Sequence, residues 1–285
     1  MRFDRIQAKW NARTIIAHSK PHVCLVTLVY LLATSGLALL LSLFVVNPMQ
    51  AANQYVMDWA AAGGVGSLTA EEVLAAAYAG SSGVLGVFAS VLLGLYQMVM
   101  QGGYLFYITR LVRRERGGYA DLLEGFGIAG KVVGLNLLIV LYSFLWMLPV
   151  TVLFTAVVFL AALSQSMAVL LLVYIAGVVG MVAYAVWVSL RYAMSVYLLM
   201  DQPEQGVLWA IRTSVQTMKG WKKELFVLWI SFLGWSLLSA VTGGLAGIWV
   251  SPYTSLTIVQ FYEFISGRQT ISAEEIPPVN GGNGF

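Results

Sequence analysis

The sequence predicts an all-α membrane protein: a polytopic bundle of six transmembrane helices, with amphipathic helices at the cytoplasmic interface and both termini cytoplasmic. Three observations predict it. Apolar runs of about 20 residues, the length that crosses a hydrocarbon core, recur six times. Hydrophobic residues make up 59% of the 285 and charged residues 10%, with a mean hydropathy of +0.81, which leaves too little charge to cover a soluble fold. The sixteen Lys and Arg residues also keep to one side of the alternation. Five precede the first span, five fall in 110–131, five in 191–223, and the last is Arg268, while 47–82, 164–166 and 242–244 have none.

Residues 3–18 read as an interfacial amphipathic helix, with Phe3, Ile6 and Trp10 at helical spacing and Asp4, Arg5, Lys9 and Arg13 between them. The first span, near 23–46, holds nine leucines and no charge. It is longer than a signal-peptide core and no small-residue cleavage site follows, so it reads as a retained helix. Residues 47–82 carry Asp58, Glu71 and Glu72 and read as short helical pieces on the outer surface. The second span, near 83–109, sets Gly86, Ser90 and Gly94 on one stripe, a close-packing signal. The basic run Arg110, Arg113, Arg114 and Arg116 stops it on the inner side and can attract anionic headgroups.

A second interfacial helix is predicted near 119–129, with Asp121 as N-cap and Glu124 three residues on. The third span, near 132–163, is about 48 Å long at 1.5 Å per residue, so it must tilt, protrude or bend, with Pro149 the place to bend. The fourth, near 167–190, carries Ala176 and Gly180 as a second small-residue stripe and meets Arg191 at the inner interface. Asp201, Pro203 and Glu204 read as the start of a third interfacial helix, near 204–219, that ends at Gly220. A transmembrane hairpin follows, with spans near 225–241 and 245–264 around a turn at Gly243-Gly244. The last span is the richest in neutral polar groups, with Ser251, Thr254, Ser255, Thr257 and Gln260 spread around it, as in a helix enclosed by others. Residues 1–268 form one membrane domain and 269–285 a disordered cytoplasmic tail. The order interfacial helix, basic collar, outward span, turn, inward span occurs three times, from near residues 1, 119 and 204, which suggests a threefold internal repeat.

Chemistry is sparse in this pattern. His18 and His22 lack a third ligand partner, so no metal or cofactor site is expected. Cys24 is the lone cysteine and reads as a small apolar residue. The spans hold no mid-depth acid for a proton relay, and no nucleophile elbow or phosphate loop is present. The basic residues trace a membrane face rather than a nucleic-acid groove, so no nucleic-acid partner is expected. Arg191 and Glu263, both at the inner interface, are expected to pair.

The segments around MDQPE, MKGWKKELFVLWISFLGW, GIWVSPY and FYEF resemble a family of bacterial integral-membrane proteins catalogued as a domain of unknown function, numbered nine-seven-five. The resemblance runs from about Gly103 to Phe264 and rests on Asp201–Pro203, Gly234-Trp235, Trp249 and Pro252-Tyr253. It implies a multi-pass protein of the bacterial cytoplasmic membrane and brings no activity with it. The functional expectation is a non-enzymatic protein that binds lipid, a peptide or a membrane-protein partner, with a small-solute or peptide transporter or channel as the alternative. The candidate residues are Arg191, Asp201, Pro203, Trp235, Trp249, Pro252, Tyr253, Gln260 and Glu263. An enzyme would require two of Arg191, Asp201, Glu224 and Glu263 to converge on a pocket.

Overall fold

The structure, a computed structural model, describes residues 3–44, 48–63, 68–79, 83–164 and 166–267. Arg268 and the tail expected to be disordered lie outside the described residues. Helix α1 (Arg5–His18) begins where the Asp4 carboxylate accepts the Ile6 and Gln7 N–H groups, at 2.9 and 3.1 Å. Its buried stripe is Ala8, Ala12 and Ile16, not the Ile6 and Trp10 face read from the sequence; Ile6 is 82% exposed. Two alanines four residues apart let another helix approach closely, and that contact outweighs the bulkier apolar side chains.

After a turn containing the cis peptide Lys20-Pro21, α2 (Val23–Leu31), a π-helical turn (Leu32–Gly36) and α3 (Leu37–Phe44) follow in line where one uniform helix was expected. A π turn disturbs the i→i−4 ladder. The Tyr96 hydroxyl donates to the Ala33 carbonyl inside that turn, at 3.2 Å. Helices α4 (Pro48–Ala61) and α5 (Ala70–Ala79) are the short pieces expected after the first span. At the start of α5, Thr69 and Glu72 satisfy each other's backbone N–H groups in a reciprocal cap.

Helix α6 (Gly83–Val112) ends at Arg114, held at φ 59°, a conformation more usual for glycine. Helix α7 (Asp121–Gly127) then lies against α6, and two glycines make the contact possible. A Cβ on Gly103 would stand 2.0 Å from the Leu122 carbonyl oxygen, and one on Gly125 would stand 2.4 Å from that of Val99. Of the predicted stripe, Gly94 takes no part in a close contact: a Cβ there would meet nothing within 4 Å, while Gly86 is buried. Asp121 is the first residue of α7 rather than its cap. Its carboxylate accepts the preceding Gly118 N–H at 2.8 Å and binds Arg110.

Helix α8 (Ala129–Ala162) runs unbroken through Pro149 and pairs with α9 (Met167–Tyr192). Their close approach is at Gly177, which faces the Phe154 ring, and not at Gly180. Helix α10 (Ser195–Asp201) continues past a break at Ala193-Met194. The fully buried Ser214 hydroxyl spans that break, accepting the Met194 N–H at 3.3 Å and donating to the Arg191 carbonyl at 3.0 Å. A 3₁₀ turn (Pro203–Gln205) and Gly206, at φ 83°, lead into α11 (Val207–Thr217), which supplies Ser214. Asp201 therefore closes one helix instead of capping the next. Its carboxylate is claimed by a half-buried arginine, described below.

Helix α12 (Lys222–Ile230), α13 (Leu233–Val241) and α14 (Gly247–Ile265) complete the chain, with glycine turns at Gly220 and Gly243-Gly244 as expected. The fifth run is broken at Ser231-Phe232. The fold is all-helical, with no strand among the described residues. Five helical stretches are long and apolar enough to cross a membrane: Val23–Leu43, Val84–Val112, Ala129–Ala162, Met167–Asp201 and Lys222–Val241. Helix α14 is not one of them, because Ser251, Thr254, Ser255, Thr257, Gln260 and Glu263 dilute its apolar character.

It is instead the most enclosed helix, packed against α1, α2, α6 and α13. The core gathers at the basic ends of the helices, around Tyr107, Leu135, Leu199, Leu228, Leu256 and Phe261. The far halves of α8 and α9 touch each other at Phe154 and Tyr174 and expose Leu153, Phe159, Leu160 and Leu172.

Candidate functional site

Helix α14 positions two sites, one at each end. Near its C-terminus, Arg113, one residue beyond α6, reaches between two acids. Its Nη2 donates to Asp201 Oδ1 and to Glu263 Oε1, both at 2.6 Å, and its Nε donates to Glu263 at 2.8 Å. The Tyr262 hydroxyl also donates to the Asp201 carboxylate, and the Tyr262 ring stacks on Tyr197 at 5.2 Å. The acid side chains are only 7% and 5% exposed. Burial alone would lower the pKa of Arg113, but hydrogen bonds and charge from Asp201 and Glu263 prevail and hold it above its usual value. Asp201 and Glu263 thus do converge, but on a guanidinium.

Glu263 binds Arg113 and not Arg191, contrary to the expected pairing. Arg191 lies over two tryptophan rings, Trp146 at 4.5 Å and Trp187 at 5.1 Å, because it sits one turn after Trp187 on α9 and faces α8. Pro203 sits in the 3₁₀ turn, where its carbonyl accepts from Lys131 at 2.9 Å.

Further along, α1 sheathes α14 in the antiparallel sense. Phe3 meets Phe261 edge to face at 5.1 Å, Gln260 Nε2 donates to the Ala8 carbonyl at 3.1 Å, and the Arg13 guanidinium lies over the Tyr253 ring at 5.5 Å. Lys9 lies over Phe232 at 4.7 Å; burial, then the charges of Arg13 and Arg5, lower its pKa. The polar groups of α14 are used in this packing. Thr257 donates to the Tyr253 carbonyl and Gln260 also to that of Leu256. Pro252, buried inside α14, removes one backbone donor without ending the helix.

Where α1 and α2 meet α13 and α14, the structure holds a cavity of about 610 Å³. Trp235, Leu238, Ala246, Trp249, Val250 and Tyr253 line it from the hairpin side. Arg13, Ile16, Ala17, His22 and Cys24 line it from α1 and α2. Tyr253 anchors the wall, edge-to-face with Phe232 at 5.4 Å and with Trp235 at 6.3 Å. Among the described residues no carboxylate lines it, and Arg13 is the guanidinium in its wall. His22 Nδ1 accepts the Cys24 backbone N–H at 3.4 Å, as the cap of α2, so the imidazole serves the backbone and not the thiol. Arg191, Asp201, Glu224 and Glu263 are not among its walls.

Three sequence candidates, Trp235, Trp249 and Tyr253, therefore share one wall, while Asp201 and Glu263 share one arginine. Arg113, Tyr262, Arg13 and His22 are not among the sequence candidates, His22 having been weighed only as a metal ligand. Arg113 was hidden in a basic run that topology explains. Arg13 was read as the polar face of a surface helix.

No curated protein and no solved structure matches the chain. A family model does, over residues 1–269 rather than from Gly103 onward, so the helix that builds the cavity with α14 falls within the match. Its description is "Protein of unknown function (DUF975)", and the chain belongs to that family.

Proposed function

We propose that this protein is a multi-pass component of the bacterial cytoplasmic membrane that works by binding rather than catalysis, as an accessory, assembly or immunity-type factor. Of the ligand classes considered, lipid, peptide or protein partner, an acyl amphiphile suits the cavity best. The observation that carries the reading is its lining: aromatic and aliphatic walls with one guanidinium at Arg13 and no acid. About 610 Å³ lies within the range of small-molecule sites, which are mostly apolar with a few placed polar groups. An anionic head would lie at Arg13, with the tail between Trp235, Leu238, Trp249 and Val250. The transporter alternative draws less support, because Thr257 and Gln260 of α14 are committed to backbone acceptors instead of lining a path.

This reading includes the full topology. On this reading helix α14 is the sixth span: its 19 residues reach about 28 Å, and Thr257, Gln260 and Glu263, which lower its hydropathy, are buried against protein rather than exposed to lipid. The distribution of basic residues supports cytoplasmic termini, and the recurrence of a short helix before each hairpin supports the threefold repeat. A topology reporter inserted at Gly243-Gly244 reads as external on this arrangement; a cytoplasmic reading there refutes it.

The test of ligand class is quenching of tryptophan emission by 9,10-dibromostearate in detergent. Saturable quenching is expected, lost in the W235F/W249F variant and shifted about tenfold weaker by Arg13→Gln. Quenching that does not saturate, or that ignores both changes, refutes it.

A further inference from the structure

We infer a second binding site, distinct from the cavity: a seat for the phosphate of an anionic membrane lipid, built by Arg191 and Lys222 around Trp187. Two cations share one ring. The Lys222 ammonium lies 4.1 Å from the Trp187 centroid and the Arg191 guanidinium 5.1 Å from it, and the same guanidinium lies 4.5 Å from the Trp146 centroid. Trp146 and Trp187 meet edge to face at 6.4 Å, so the aromatic frame is fixed by its own packing.

The acids of the basic end do not serve this pair. Ion pairs of the basic end include Arg110 with Glu115, Asp121 and Glu124 and Arg113 with Asp201 and Glu263; among the described residues Arg191 and Lys222 take part in none. Like charges held at one ring repel, and a bound anion relieves that repulsion.

A second, independent observation points the same way. The Arg191 Nε is shielded from solvent and has no hydrogen-bond partner. A buried guanidinium N–H left unsatisfied is unusual, and a phosphate oxygen is the acceptor whose geometry fits the guanidinium fork. The ring faces donate nothing and accept weakly, so they hold the guanidinium in place without satisfying that N–H.

The source of the phosphate is argued from the surroundings. Trp146 and Trp187 remain about 40% exposed, and Leu145 next to Trp146, with Phe226 and Ile230 four and eight residues after Lys222 on α12, are exposed apolar side chains. A headgroup seated here has apolar surface along which to lay its chains, which free phosphate does not need.

Native mass spectrometry of detergent-solubilised protein, offered phosphatidylglycerol or phosphatidylcholine, tests this. The wild type is expected to retain phosphatidylglycerol at least five-fold over phosphatidylcholine. Arg191→Gln and Lys222→Gln should each abolish that preference while leaving lipid-free melting unchanged, and Arg191→Lys should keep part of it. Arg13→Gln, which alters the cavity, should leave it intact, so failure here is separable from failure of the cavity reading. A preference that survives both neutral variants overturns the proposal. Loss of bound lipid on adding millimolar inorganic phosphate overturns the lipid assignment.

Discussion

Replacing Arg113 with methionine keeps an unbranched side chain and removes the charge that two buried acids share. The loss follows from the geometry. Asp201 and Glu263 are 7% and 5% exposed in their side chains and accept three short contacts from Arg113, at 2.6 to 2.8 Å. Removing one partner of a buried ion pair costs about 3–5 kcal/mol, since the partner left behind keeps its desolvation penalty. Arg113 itself is 30% exposed and Asp201 retains the Tyr262 hydroxyl, which places the loss near the lower end. A value of about 3 kcal/mol corresponds to roughly a hundredfold shift in the folding equilibrium. Equilibrium unfolding in mixed micelles, followed by tryptophan emission, measures it. In a background carrying Asp201→Asn and Glu263→Gln, the same Arg113→Met change should cost under about 1 kcal/mol, because no buried charge is left behind. Equal losses in the two backgrounds would falsify the assignment of Arg113 to these acids.

Three further outcomes are expected. Gly103→Ala forces a methyl into the Leu122 carbonyl and should destabilise by about 1–3 kcal/mol or prevent α6–α7 packing, whereas Gly94→Ala should be silent; similar melting temperatures for the two would contradict the contact. Ser214→Ala leaves the Met194 N–H and Arg191 carbonyl without their partner, for a loss of about 1–3 kcal/mol, and Ser214→Thr should recover part of it. At α5, hydrogen bonds from the Thr69 N–H and hydroxyl hold the Glu72 carboxylate below its usual range. A depressed folded-state pKa contributes stability above the ordinary glutamate range that is lost as pH falls through the lowered value. Protection of the first-turn amides of α5, corrected for the intrinsic exchange rate, should therefore fall on acidification; Glu72→Gln should remove that pH dependence, and Thr69→Ala, which keeps the backbone N–H, should only reduce it.

The helical class, the positions of five apolar runs and the turns at Gly220 and Gly243-Gly244 were legible, because length, charge and glycine are local signals. The enclosure of α14 was also legible, since polar residues spread around a helix require partners on every side. What escaped is pairwise. Hydrophobic spacing favoured Ile6 and Trp10, yet α1 packs through Ala8 and Ala12, because closeness of backbones and not side-chain size decides helix contacts where lipid is the competing solvent. The same logic moved the tight contacts from Gly94 to Gly103 and from Gly180 to Gly177. Asp201 looked like a cap because Pro203 follows it, but a half-buried arginine competes more strongly for a carboxylate than backbone N–H groups do. Trp235, Trp249 and Tyr253 stood out individually. Their meeting with Arg13 from the far end of the chain is a tertiary fact that no spacing encodes.

The most direct test of the account is electron cryo-microscopy of the protein in nanodiscs of native lipid extract, read at the cavity between α1, α2, α13 and α14. The account predicts elongated density between Trp235, Trp249 and Tyr253 with its head at Arg13, absent in Arg13→Gln. A cavity closed by its own side chains, or a water-filled path that continues to both faces of the bilayer, would contradict it.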